Sequence, residues 1–487
     1  MRTAPAPPST ASPAPPGTRR GGRPLWMLPA GLALGAAVLR LPAYLAARHL
    51  SFDDGVYGAS AVAMRHGGLP FRDVFSSQGP LFLPLVWLFD LLGLRTFDAP
   101  RLLAVASALA LVVATWSAAR ALQLSTSATA LAAGLVATSG SLLWVTGPLT
   151  SDGPGLALAA WAVTAALWYR RSPSLRWALA AGVLLGAALS VKSLLLAAGL
   201  PVAWVLLQNR RHLAAAVAGA GVLSFVVALP WGLGNVWDQA FKYHLEAAGS
   251  RTPLPNLRKV FSTLGDRDLP LLLAAALGLV GVWSQRGRAA RRDHASSSGA
   301  GLIVTWLAAT IVVLALEHPL WRNHVAHLTP ATALLVGVAF DRLSGPMFRR
   351  AVVAVAVLAA PYHVVHLSEV LWPAPPGPSL AAARADLEAL PAGAQVISDD
   401  PGVVWRAGRR TPDDLVDTSI LRIESRRLTP PSLRSAAVIT PVCAVLVWSH
   451  RFGDMATLPA LLEDRGYRAT ARYGGPKVLY VRDTCTL

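Results

Sequence analysis

Two adjacent carboxylates, Asp53 and Asp54, stand in the stretch SFDDGVYGASAVAMRHGGLPFRDVFSSQGP (51–80), just past the first long apolar run of the chain. A carboxylate held beside a bound hydroxyl can take its proton while the oxygen attacks an electrophile. The bland alternative is structural: aspartate is a favoured N-cap, and GVYGASAVAMRHGG has the pattern of a short amphipathic helix. Tyr57 follows Asp53 by four residues, and Arg72, Asp73 and Gln78 lie in the loop beyond that helix.

A membrane must position these residues. Of the 487 residues 54% are hydrophobic and only 14% charged, and the mean hydropathy is +0.46. Apolar runs of roughly 17 to 25 residues, long enough to cross the hydrocarbon core as helices, recur to about residue 372. The formal net charge of +18 is that of many nucleic-acid binders, but the arginines lie in short clusters between apolar runs. Positive-inside topology accounts for them, and no nucleic-acid partner is expected.

Residues 1–24, rich in Pro, Ala and Ser, read as a disordered cytoplasmic tail carrying Arg19, Arg20 and Arg23, and the run 25–47 as an uncleaved first helix. Further spans are expected near 99–121, 127–147, 152–169, 175–190, 194–208, 212–232, 269–285, 301–317, 328–343 and 350–372. They place Arg120, the Arg170/Arg171/Arg176 group, Arg210/Arg211, RGRAARR (286–292) and Arg342/Arg349/Arg350 on one, cytoplasmic, face. The parity requires that GPLFLPLVWLFDLLG (79–93) not cross. It is short and carries Pro84 and Asp90, so a helix lying in the outer interface is expected. The expected fold is an all-α polytopic membrane domain (25–372) of about eleven transmembrane helices, with a first outer loop at 48–98.

That topology gathers polar segments on the outer face: the Asp pair, TGPLTSDGPG around Asp152, the loop 235–259, EHPLWRNHVAHL (317–328), and Lys192 at the tip of a helical hairpin in LSVKSLL. Residues 373–487 change character, with β-prone AQVISDD, CAVLVWSH and KVLYVR between helical SLAAARADLEAL and LPALLEDRGY, as in a small extracytoplasmic α/β domain. Cys443 and Cys485 both fall there, either as a disulfide or as two buried thiols. No metal-ligand spacing, phosphate-cradling glycine motif or nucleotide fingerprint stands out.

The acid pair followed by Tyr57, a helix ending in Gly-Gly, and PFRDVFSSQGPL resembles the first outer loop of the GT-C membrane glycosyltransferases of the protein O-mannosyltransferase and aminoarabinose-transferase type. The likeness continues through RLLAVASALA, TSDGPGLAL, GVLLGAALSVKS and WRNHVAHLTPATALLVG, over most of residues 25–345. It implies transfer of a sugar from a polyprenyl-phosphate-linked donor, in contact with membrane lipid, to an extracytoplasmic acceptor: an envelope glycan, a glycolipid or a protein. By the same resemblance Asp53 is the catalytic base. Asp54 would orient it or hold a sugar hydroxyl. Asp152 would bind the acceptor or a divalent metal ion, and Lys192, Arg322 and His324 would meet the carrier phosphate.

Each residue also has a structural reading. Lys192 could snorkel from a helix end, His324 and His327 could be solvated loop residues, and Arg72, Asp73 and Gln78 could only shape the loop. The sequence departs from the family where some members carry Lys-Pro-Pro: here Ser77-Gln78-Gly79-Pro80 stands, so Arg72 or Lys192 would have to serve instead. The acid pair is Asp-Asp rather than the common Asp-Glu. A lipid or sugar transporter is the rival class; it predicts ionisable residues at mid-bilayer and repeated halves, neither of which is visible. A catalytically inactive relative binding cell-wall polymer is the other.

Overall fold

The computed structural model describes residues 26–246, 253–289, 294–342, 346–439 and 441–485. The expected tail at 1–24, part of the 235–259 loop and the end of the basic run 286–292 lie outside the described residues.

Helix α1 (Met27–Tyr44) leads to α2 (Phe52–Arg65) and α3 (Phe82–Leu92), which lie in the segment expected to form the first outer loop. Eleven residues of α3 reach about 16 Å, half the hydrocarbon thickness. Its Asp90 is buried against Arg65, which donates from Nε (2.9 Å) and Nη2 (2.6 Å). Next come α4 (Leu102–Ala121), α5 (Thr126–Thr138), α6 (Gly140–Thr146), α7 (Asp152–Arg171), α8 (Leu175–Val191), α9 (Gly199–Leu206) and α10 (Arg210–Ala228). Ala114, Ala159, Ala162, Ala166, Ala178 and Ala181 are fully buried in the core that joins α4, α7 and α8. Such small side chains let helix backbones approach closely where lipid offers no hydrophobic drive.

Among the described residues four helices are long and apolar enough to cross a membrane: Met27–Tyr44, Ala99–Ala121, Arg210–Trp231 and Gly299–Leu316. A fifth span results if α5 and α6, bent by 53°, count together. The single helix expected over 127–147 is therefore two. Ser139 separates them, and the buried Asp268 carboxylate caps the second: it accepts from the amides of Gly140 (2.7 Å) and Ser141 (2.9 Å) and the Ser139 hydroxyl (3.0 Å). A carboxylate there satisfies amides that a helix start leaves unpaired. Arg40 inside α1 is likewise accommodated, donating to Thr146 Oγ1 (2.7 Å) and the carbonyls of Ala36 and Ala137 (3.0 Å each).

The C-terminal part is the expected α/β unit. Four strands, β1 (Gln395–Ser398), β2 (Val442–Val447), β3 (Tyr467–Arg472) and β4 (Val478–Arg482), form a sheet in the order β1-β2-β4-β3; β1 and β2 are parallel and the other pairs antiparallel. Cys443 and Cys485 are joined in a disulfide. The short helix Pro401–Arg406 of this unit packs against α2. An added Cβ at Gly58 would come within 2.3 Å of the Trp405 ring, so glycine is what permits the approach.

Candidate active site

Helix geometry separates the two acids. Ser51, extended at φ −150° and ψ 166°, caps α2 by accepting the Asp54 amide (3.2 Å), which puts Phe52, Asp53 and Asp54 in the first turn. Successive residues on a helix point about 100° apart. Asp54 therefore turns inward, where it is fully buried and grips Arg101 through Nε (3.0 Å) and Nη2 (2.5 Å). Its oxygens also accept the amides of Leu50 (2.9 Å) and Leu149 (3.0 Å). Burial would raise the Asp54 carboxyl, but the Arg101 guanidinium outweighs it and holds the group below the usual carboxylate range.

Asp53 turns the other way, half-buried, into a cavity of about 840 Å³. Its carboxylate forms no hydrogen bond or ion pair among the described residues, although charges surround it. Burial pushes it up to about 6, with Lys192 and Arg451 pulling against Asp152 and Asp417. A base left without a partner and held near neutral pH is what proton abstraction requires.

The other sequence-expected residues divide cleanly. Tyr57, Gln78, Asp152, Lys192, Arg322 and His324 line the same cavity as Asp53, whereas Asp54 and Arg72 do not. Arg72 is exposed on the turn after α2. Asp152 begins α7 and is engaged through Oδ1 by Lys192 Nζ (2.8 Å) and His327 Nε2 (2.8 Å). Lys192 sits at the C-cap of α8, in extended backbone (φ −152°, ψ 115°). His324 and His327 are buried rather than solvated, in a 3-10 turn (Arg322–Leu328), with ring centroids 6.0 Å apart. Burial keeps His324 well below the usual histidine range, hence neutral. Arg322 pairs with Asp266.

The Gln78-Gly79-Pro80 stretch docks onto the end of α8. The amides of Gly79 and Leu81 donate to the carbonyls of Val191 (3.1 Å) and Ser190 (2.8 Å), and a Cβ at Gly79 would lie 2.3 Å from Ser190 O. The loop is thus fastened beside Lys192, a cation on the cavity wall. Among the described residues no group of three His, Cys, Asp or Glu side chains is placed to hold a metal ion.

Several lining residues were not singled out from sequence: Tyr243, His244, Lys259, Asp417, Ser419 and Arg451. Tyr243, His244 and Lys259 lie in the segment 235–259 expected on the outer face. Asp417, Ser419 and Arg451 belong to the C-terminal domain, and nothing in their local sequence marks them.

A helical domain with a small C-terminal sheet unit packed on the acid-bearing helix α2 is the fold of this chain. ArnT from Cupriavidus metallidurans has it too: in the apo state and bound to undecaprenyl phosphate it matches with TM-score 0.62 at 17% identity, over 93% of this chain and 97% of that one. The S. cerevisiae protein O-mannosyltransferase Pmt1-Pmt2 complex bound to the sugar donor aligns at 17% identity over 45% of this chain and 33% of that chain, with TM-score 0.34. No protein-family model and no curated protein matches the chain.

Proposed function

We propose that the chain is an integral-membrane glycosyltransferase that moves a sugar from a polyprenyl-phosphate carrier to an acceptor hydroxyl, on the face of the membrane that holds the first outer loop and the C-terminal domain. The observation that carries this reading is the unpartnered Asp53 carboxylate facing a cavity that also holds Lys192, Lys259 and Arg322. In the reaction the acceptor O–H gives its proton to Asp53 while its oxygen bonds to the anomeric carbon. The bond from that carbon to the phosphate oxygen breaks, and the electron pair leaves on the phosphate with inversion. Cations near the departing monoester stabilise its charge. The shared fold with a protein solved bound to undecaprenyl phosphate supports the carrier class.

A clustering of cytoplasmic arginines with about eleven spans and an outer C-terminus belongs to the same proposal. Cysteine labelling from outside at a site near Ser432, but not near Ser297, is the expected pattern. The reverse pattern contradicts the orientation.

Two outcomes test the function. In vesicles holding purified protein, polyprenyl-phosphate sugars are consumed and nucleotide sugars are not; turnover of a nucleotide sugar without any polyprenyl lipid would overturn the donor class. The second is pH dependence. Only ionised Asp53 can accept the proton, so kcat/KM is level above about pH 6 and falls about tenfold per unit below it. A profile flat from pH 7 to 4.5 would remove Asp53 from the role.

A further inference from the structure

Part of the cavity wall beside Asp53 is built by the C-terminal domain, through Asp417, Ser419 and Arg451. All three are held in place. Asp417 accepts the Ser77 hydroxyl on Oδ2 (3.2 Å) and the Ser419 amide on Oδ1 (2.9 Å), leaving lone pairs on both oxygens. The Arg451 guanidinium lies 3.9 Å from the centre of the Phe52 ring and donates Nη1 to Asp399 O (2.9 Å), but it forms no ion pair among the described residues. Both charges act on Asp53, in opposite directions.

The wall continues into the segment 233–246, where the Trp237 and Phe241 rings, 5.6 Å apart and stacked, also line the cavity. Arg427 of the C-terminal domain ties that segment down through Asp238 (2.7 Å) and Glu246 (2.7 Å).

The cations suited to a carrier phosphate, Lys192, Lys259 and Arg322, all come from the membrane domain, which leaves this wall for the other substrate. A carboxylate and a guanidinium on one wall suit a hydroxyl group, which can donate to the first and accept from the second. Aromatic faces nearby suit the C–H face of a sugar ring. An anionic acceptor would instead approach two carboxylates, Asp53 and Asp417, as a like charge. We propose that the C-terminal wall is the acceptor subsite and that it takes a neutral carbohydrate with free hydroxyls. The proposal rests on the glycosyl-transfer reading above.

The test uses the full chain in lipid nanodiscs, titrated with mannotetraose, tetragalacturonate and a Ser/Thr-rich peptide while tryptophan fluorescence is read; undecaprenyl phosphate is titrated separately. Mannotetraose is expected to bind about tenfold more tightly than either alternative. Asp417→Asn and Arg451→Met should each weaken it about tenfold, the loss expected for a hydrogen bond to a charged group, with undecaprenyl phosphate affinity unchanged. Asn keeps an oxygen to accept the Ser419 amide and its Nδ2 can donate to the Ser77 hydroxyl oxygen with that bond reversed, and Met keeps contact with Phe52, so two independent variants remain informative. Preference for the uronate or the peptide, no binding of mannotetraose, or mannotetraose binding indifferent to both substitutions would overturn the proposal. Failure of the wild-type chain to bind undecaprenyl phosphate would instead count against the transfer reading, and the oligosaccharide titration would still decide the subsite.

Discussion

Asp53→Asn is expected to lower turnover by 10²- to 10⁴-fold, about 3 to 5 kcal/mol of barrier, while donor-lipid affinity stays near wild type. Asparagine keeps the volume and some hydrogen bonding but cannot accept the acceptor's proton. The same substitution should leave the protein at least as stable. A carboxyl whose folded-state pKa is raised binds its proton more tightly when folded, so its stability contribution is full below the unfolded value and is lost as pH rises through about 6. At neutral pH the ionised Asp53 therefore costs stability, and asparagine removes that cost. A variant that lost activity because it unfolded would show a lower melting midpoint; the expected midpoint is unchanged or higher. Near-normal turnover would return the acid pair to a structural role.

The second large effect concerns the partner of the neighbouring acid and has the opposite character. Arg101 is fully buried, holds Asp54 with two hydrogen bonds, and donates to the carbonyls of Ala43 (3.0 Å), Tyr44 (3.2 Å), Ala46 (3.0 Å) and Arg48 (2.7 Å). It fastens the end of α1 to the start of α2. Arg101→Met strands a buried carboxylate and leaves those carbonyls short of a donor, at a cost of about 3 to 5 kcal/mol. The expected result is a large drop in melting midpoint or loss of the protein from the membrane. Pairing it with Asp54→Leu should recover much of the loss, because the stranded carboxylate is then gone while the buried Arg406 keeps its ion pair with Asp98. An unchanged midpoint for Arg101→Met would contradict this reading of the pair.

The contrast between Asp53 and Asp54 marks where sequence reasoning stops. The adjacent acids, Asp152, Lys192 and His324 were visible as polar residues at the ends of apolar runs, a position where an unneeded charge is costly. Which acid faces inward depends on the N-cap at Ser51 and on Arg101, and the partnership of Arg101 with Asp54 spans 47 residues. Asp417 and Arg451 reach the cavity from a unit that packs on α2 where Gly58 makes room for Trp405, a contact between distant segments that no local pattern encodes. Strand β3 escaped notice because it is an edge strand with mostly exposed side chains, including Arg468, and so lacks the apolar signature of β2 and β4. The break between α5 and α6 did leave a trace in Ser139-Gly140, but its cause, the Asp268 cap, comes from 128 residues away.

The most direct test supplies radiolabelled polyprenyl-phosphate hexoses and pentoses to membranes with the protein, without it, and with Asp53→Asn. The account predicts that one donor gives up its label to a new product, that free polyprenyl phosphate appears in equal amount, and that both depend on the protein and on Asp53. If instead the labelled lipid crosses the bilayer intact and no sugar leaves its carrier, the chain is a transporter and the catalytic account is wrong.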